Sequence, residues 1–76
     1  MNKLEKLKTL SKKLNDLRRI SQRTQRETAE ILGITPSGYA SWEQGRTEPS
    51  LFFVLKICEI YGISPNELLD WYVADE

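Results

Sequence analysis

The chain stops one helix at Gly33 and starts another at Thr35-Pro36, and no other feature constrains its fold as tightly. Glycine ends the first pattern because it takes the left-handed conformation at low cost. Thr35 offers a hydroxyl cap, and Pro36 occupies the first helical position, where its missing amide proton is not needed. Two helices joined by so short a link must cross steeply. The crossing needs a small residue beneath it, which Ala29 supplies, and large apolar residues in the angle between the helices, which Tyr39 and Trp42 supply.

The remaining punctuation predicts helices throughout. Leu4, Leu7, Leu10, Leu14, Leu17 and Ile20 recur every three or four positions, and no Gly or Pro precedes Gly33, so the chain opens with one long helix or two nearly continuous ones. Asn2 followed by Glu5 caps its start. Thr24-Gln25-Arg26-Glu27 is a capping box for a second helix whose apolar members are Ala29, Ile31 and Leu32. The third helix runs from Pro36 to Gly45. Ser50 caps a fourth that runs to about Tyr61, with Gly62 as its stop, and Ser64-Pro65-Asn66-Glu67 starts a short fifth through about Trp71. No strand pattern or repeat is found.

A chain of 76 residues suits one small domain, with a thin stability margin. With no His and a single Cys, Cys58, it can build neither an internal disulfide nor a Cys/His zinc site, so no metal and no cofactor are expected. The longest apolar run, Leu51 to Leu55, is far short of the roughly 20 residues that cross a membrane. Lysines break up the N-terminal region where a signal peptide would need an apolar core. The expected compartment is the cytoplasm. The net charge is zero but polarised: residues 1–42 carry nine Lys/Arg against four Asp/Glu, and residues 43–76 two against seven. A basic face toward phosphate with an acidic face away is one reading, and solvated helix faces are the other. Without His, a nucleophile–base pair or convergent carboxylates, the chain is not expected to be an enzyme.

The ordered set Leu14-x-x-Leu17-Arg18, Thr24-Gln25, Ala29, Gly33, Trp42-Glu43-x-Gly45, Pro49-Ser50-Leu51, Gly62-Ile63-Ser64, Leu68-Leu69 resembles the lambda-repressor-like, Cro-type helix-turn-helix family. The match runs from Leu14 to Leu69 without a gap. It implies an all-α, five-helix DNA-binding domain with an extended first helix: a basic extension over 1–13, the helix-turn-helix domain over 14–71 and a tail over 72–76. It further implies a transcriptional regulator that lays the helix Pro36 to Gln44 in the major groove of double-stranded DNA. Carried over by position, Gln25, Gln44, Arg46 and Thr47 would meet phosphates, the last two partly through their backbone amides. Pro36, Ser37 and Ser41 would face bases, while Tyr39 belongs to the core. None of these readers is Arg, Asn or Gln, so direct readout is thin and DNA shape would carry part of the specificity. Arg18 and Glu43 would form an ion pair fastening the recognition helix to the scaffold. The chain departs from the family at Thr28, where a larger apolar residue is usual, and at Gln22-Arg23, where Gly and an apolar residue are usual.

Two features lie beyond the match. The first 13 residues surround Leu4, Leu7 and Leu10 with five lysines. The fourth helix is apolar everywhere except Lys56 and Glu59. Its Leu51, Val54, Leu55, Cys58 and Tyr61 are expected to face the core, leaving Phe52 or Phe53 and Ile60, with Trp71 and Tyr72, for a homodimer interface. Alternatively, Trp71 and the phenylalanines fold back over Leu4, Leu7 and Leu10. The competing function is a protein-binding, antitoxin-like or adaptor module on the same scaffold.

Overall fold

The computed structural model describes residues 2–69. Five helices follow in order: α1 Lys3–Ile20, α2 Gln25–Leu32, α3 Pro36–Glu43, α4 Leu51–Tyr61 and α5 Pro65–Leu68. Among the described residues there is no strand, and no helix is long and apolar enough to cross a membrane.

Each start is built by the cap that the sequence supplies. Asn2 Oδ1 accepts the Glu5 N–H at 2.9 Å, and Thr24 and Glu27 satisfy each other's backbone N–H groups in a full capping box. Thr35, Ser50 and Ser64 cap the later helices in the same way. Gly33 stops α2 at φ +76°. The first helix is continuous, and it ends differently. Gln22 takes φ +60° so that the Arg23 and Gln22 N–H groups can reach back to the Arg18 and Arg19 carbonyls. That is a Schellman ending built on a residue with a Cβ, at the position where the resembling family carries Gly.

The core gathers Leu10 and Leu14 of α1, Ala29 and Leu32 of α2, Tyr39 and Trp42 of α3, Val54, Ile57 and Cys58 of α4, and Leu68 of α5. Tyr39 meets Trp42 edge-on at 5.9 Å between ring centroids, and Phe53 closes on Trp42 at 5.5 Å, so aromatic side chains fill the angle between the crossing helices. Thr28 is fully buried and costs little, because its hydroxyl donates to the Thr24 carbonyl at 3.0 Å.

The buried faces differ from the sequence expectation in four places. Leu4 and Ile20 lie exposed at the two ends of α1, because only the middle turns of that long helix are covered. Ile31 is likewise exposed, since the buried face of α2 is Thr28, Ala29 and Leu32. In α4 the inward stripe is Val54, Ile57 and Cys58, with Phe53, Ile60 and Tyr61 packed alongside. Leu51, Phe52 and Leu55 face outward at 73%, 65% and 51% exposure. Phe53 and Ile60, expected at an interface, therefore belong to the fold of their own chain, and Leu51 and Leu55, expected inside, do not. In a helix apolar nearly all round, the side that turns inward is set by its neighbours, here by the Ser50 cap following buried Pro49. Finally, α5 ends at Leu68, short of the expected Trp71; Trp71 and Tyr72 lie outside the described residues.

Candidate nucleic-acid interface

The polar centre of the molecule is the Glu43 carboxylate at the end of α3. Arg18 of α1 grips it at two points, Nε to Oε2 at 2.7 Å and Nη2 to Oε1 at 3.2 Å. Asn15 Nδ2 donates to the same Oε1 at 2.9 Å, and Gln25 Nε2, at the first position of α2, at 3.0 Å. A third guanidinium nitrogen, Nη1, donates to the Arg23 carbonyl at 2.9 Å. The pair is largely withdrawn from water, with side-chain exposures of 15% for Arg18 and 4% for Glu43. Burial alone would raise the Glu43 carboxyl. The hydrogen bonds from Arg18, Asn15 and Gln25 outweigh it and hold the group down at about 2. The Tyr39 hydroxyl favours the carboxylate from nearby without closing a hydrogen bond to it, and burial pushes that phenol well above its usual range. Three helices thus meet on one carboxylate, and α3 cannot rotate without breaking it.

The opposite side of α3 is open. Pro36 and Ser37 are exposed at its first turn, where the Gly38 N–H is taken by Thr35 Oγ1 at 3.1 Å. Gln44, Arg46 and Thr47 are exposed at its other end. Two sequence expectations change in this region. Ser41 is half-buried, and its hydroxyl donates to the Gly38 carbonyl at 2.7 Å while meeting Thr47 Oγ1 at 2.6 Å. A residue in the second turn of the helix, tied to its own backbone and to the next loop, has no free hydrogen for a base. The Arg46 and Thr47 amides, expected to hold a phosphate, point at the Ser41 carbonyl at 3.0 and 3.4 Å. Left for an anion are the Arg46 guanidinium and the Gln44 amide. Gln25 is split between two tasks: one amide hydrogen belongs to Glu43, while the other and its backbone N–H, at the open N-terminus of α2, remain.

Asn15 is the site residue that sequence reasoning missed. It lies one turn before Arg18, on the same helix face, and that spacing is the signal that could have found it.

A helix-turn-helix family model matches residues 14–68. The SPbeta prophage-derived uncharacterized HTH-type transcriptional regulator YonR of Bacillus subtilis is 41% identical over 46 residues, covering 60% of this chain and 43% of that protein. The HTH-type transcriptional regulator PuuR of Escherichia coli is 32% identical over 56 residues, covering 74% of this chain and 30% of that protein. The chain therefore spans less than half the length of these curated relatives. Among solved structures, the clp gene regulator ClgR of C. glutamicum superposes with a TM-score of 0.76 at 26% identity, over 92% of this chain and 91% of that one. With residues 14–68 matched and the short turn between α2 and α3 in place, the chain belongs to the helix-turn-helix family, in its lambda-repressor-like, Cro-type branch.

Proposed function

We propose that the chain is a non-enzymatic, DNA-binding transcriptional regulator of the cytoplasm that inserts the first turn of α3 into the major groove of double-stranded DNA. One observation carries the reading. The helix is fixed on its inner side by Tyr39, Trp42 and the Glu43 cluster, and exposed on its outer side at Pro36 and Ser37. Gln25, held to Glu43 at the end of α3, and Arg46, just beyond that end, carry groups suited to phosphate. Ser37 carries what direct base recognition there is, with Pro36 against a thymine methyl, and DNA shape supplies the rest.

The working unit is a homodimer. Leu51, Phe52 and Leu55 form an apolar face that a second copy would cover, and a two-fold pair would set two recognition helices about 34 Å apart, one turn of DNA. The reading is tested by fluorescence-anisotropy titration of duplex DNA over a range of salt. For about eight phosphate contacts per dimer the log–log slope approaches roughly −7. A flat slope, or no binding at low salt, overturns it. The second reading, a protein-binding module, draws on the same exposed α4 face and would then take its place.

A further inference from the structure

We propose that Ser41 and Glu43 are positioning residues for DNA: side chains of α3 that hold the phosphate-binding groups of Gln25 and of the loop carrying Arg46, without contacting DNA themselves. The proposal rests on the DNA-binding reading above.

One tether is Ser41. Its single hydroxyl hydrogen goes to the Gly38 carbonyl, so in the 2.6 Å contact with Thr47 it is Thr47 that donates and Ser41 that accepts. Its carbonyl takes the Arg46 N–H at 3.0 Å and, more weakly, the Thr47 N–H at 3.4 Å. Just before them Gly45, at φ +72°, turns the chain back toward α3. Any residue at 41 would offer that carbonyl; what the serine side chain adds is the Thr47 hydroxyl contact, which ties down the loop residue next to the exposed Arg46. The other tether is Glu43, which takes one amide hydrogen of Gln25 at 3.0 Å and leaves the second unclaimed, on the first residue of α2.

Both tethers order a long or loop-borne polar group before DNA arrives. A side chain that must be immobilised on binding loses roughly three- to tenfold in affinity relative to one already in place. Neither Ser41 nor Glu43 needs to touch a base for this, so their loss should weaken binding to every sequence alike.

The test measures affinity for two labelled duplexes of unrelated sequence at 10 °C, with the folded fraction of each variant checked by circular dichroism. Ser41→Ala should weaken both duplexes by about threefold or more, to the same degree and with the salt slope unchanged, because Arg46 still reaches its phosphate once bound. Thr47→Val should do the same, and the double variant should be no worse than either. A loss confined to one duplex makes Ser41 a base reader; additive losses, or none, show that it holds nothing. Each of these results overturns the proposal. For the second tether, Gln25→Ala should cost about tenfold in the wild type and under about twofold in an Arg18→Met, Glu43→Leu background, which offers the amide no acceptor. If that background does not fold, the side-chain amide protons of Gln25 in the free wild type decide. Exchange slower than at exposed Gln44 supports the tether, and equal exchange overturns it. Failure of the wild type to bind either duplex at low salt removes the DNA reading and the positioning role with it, while the Gln25 exchange still reports separately whether the tether exists.

Discussion

Replacing Glu43 by Ala tests how much of the fold hangs on one carboxylate. The substitution leaves the Arg18 guanidinium with only the Arg23 carbonyl, and it takes an acceptor from Asn15 and from Gln25. Stranding one member of a buried pair costs roughly 3–5 kcal/mol. Asn15 and Gln25 are half-buried and can turn to water, so the cost should sit near the lower figure, about 3 kcal/mol. A domain of 76 residues has a total stability of roughly 4–11 kcal/mol, so the variant would lose a large share of it. Urea melts at pH 7 followed by circular dichroism measure the loss directly. The control removes both charges: Arg18→Met with Glu43→Leu should fall within about 1.5 kcal/mol of wild type, because two apolar side chains leave no buried charge behind. A loss below about 1 kcal/mol for Glu43→Ala would refute the argument, since that is what an exposed pair contributes. So would a double variant less stable than the single one, which would show that the site needs charge for its own sake.

Three further predictions use other parts of the structure. The Glu43 carboxyl is held at about 2 in the folded chain against 4.5 for a free carboxyl, so its stabilisation is complete above about pH 4.5 and lost as pH falls toward 2. The span is worth roughly 3 kcal/mol undiscounted and about 2 once water at the cluster's edge is allowed for, and Glu43→Gln should be less stable than wild type at pH 7 but close to it near pH 2. Glu27, also lowered by its capping bonds, titrates in the same direction. Gln22→Gly relieves a left-handed residue at φ +60° and should stabilise by about 1 kcal/mol, raising Tm by roughly 4–8 °C; an unchanged or lower Tm would refute the strain. Phe52→Lys with Leu55→Lys should leave a folded chain that sediments as a monomer, whereas Phe53→Lys should unfold it, because Phe53 stacks on Trp42 and Phe52 does not. A monomeric wild type removes the dimer.

What the sequence disclosed and what it withheld separate along a physical line. Helix starts and stops depend on short-range chemistry, so Thr24 and Glu27, Thr35 and Pro36, Gly33 and Gly62 mark elements that the structure places within a residue or two. The Arg18 and Glu43 residues were legible only through resemblance, because 25 positions separate them and no local pattern joins them. The facing of α4 was not legible. A run of Leu51, Phe52, Phe53, Val54 and Leu55 offers an apolar surface in almost every direction, and the choice among them belongs to its neighbours, the Ser50 cap after buried Pro49 and Trp42 against Phe53, not to the run itself. The same limit explains Ser41. By position it resembles a base reader, and its residue type fits that role. Its one hydrogen and its one carbonyl, however, are claimed by Gly38 and by the loop at 46–47, and such a claim exists only once the chain turns back at Gly45. A short polar residue on a recognition helix is therefore ambiguous until its hydrogen is accounted for. Of the polar side chains expected to face bases, Ser41 has its hydrogen spent on the Gly38 carbonyl, while Ser37 has only a long 3.4 Å approach to Thr35. On the proposed DNA-binding reading, that difference makes Ser37 the position at which sequence preference should be tested. Ser37→Ala should narrow the affinity gap between preferred and random duplexes while leaving random-duplex affinity within about twofold, since one neutral hydrogen bond to a base edge is all that it removes. A uniform loss on both duplexes would place Ser37 on the backbone instead, and would leave the protein reading DNA through shape alone.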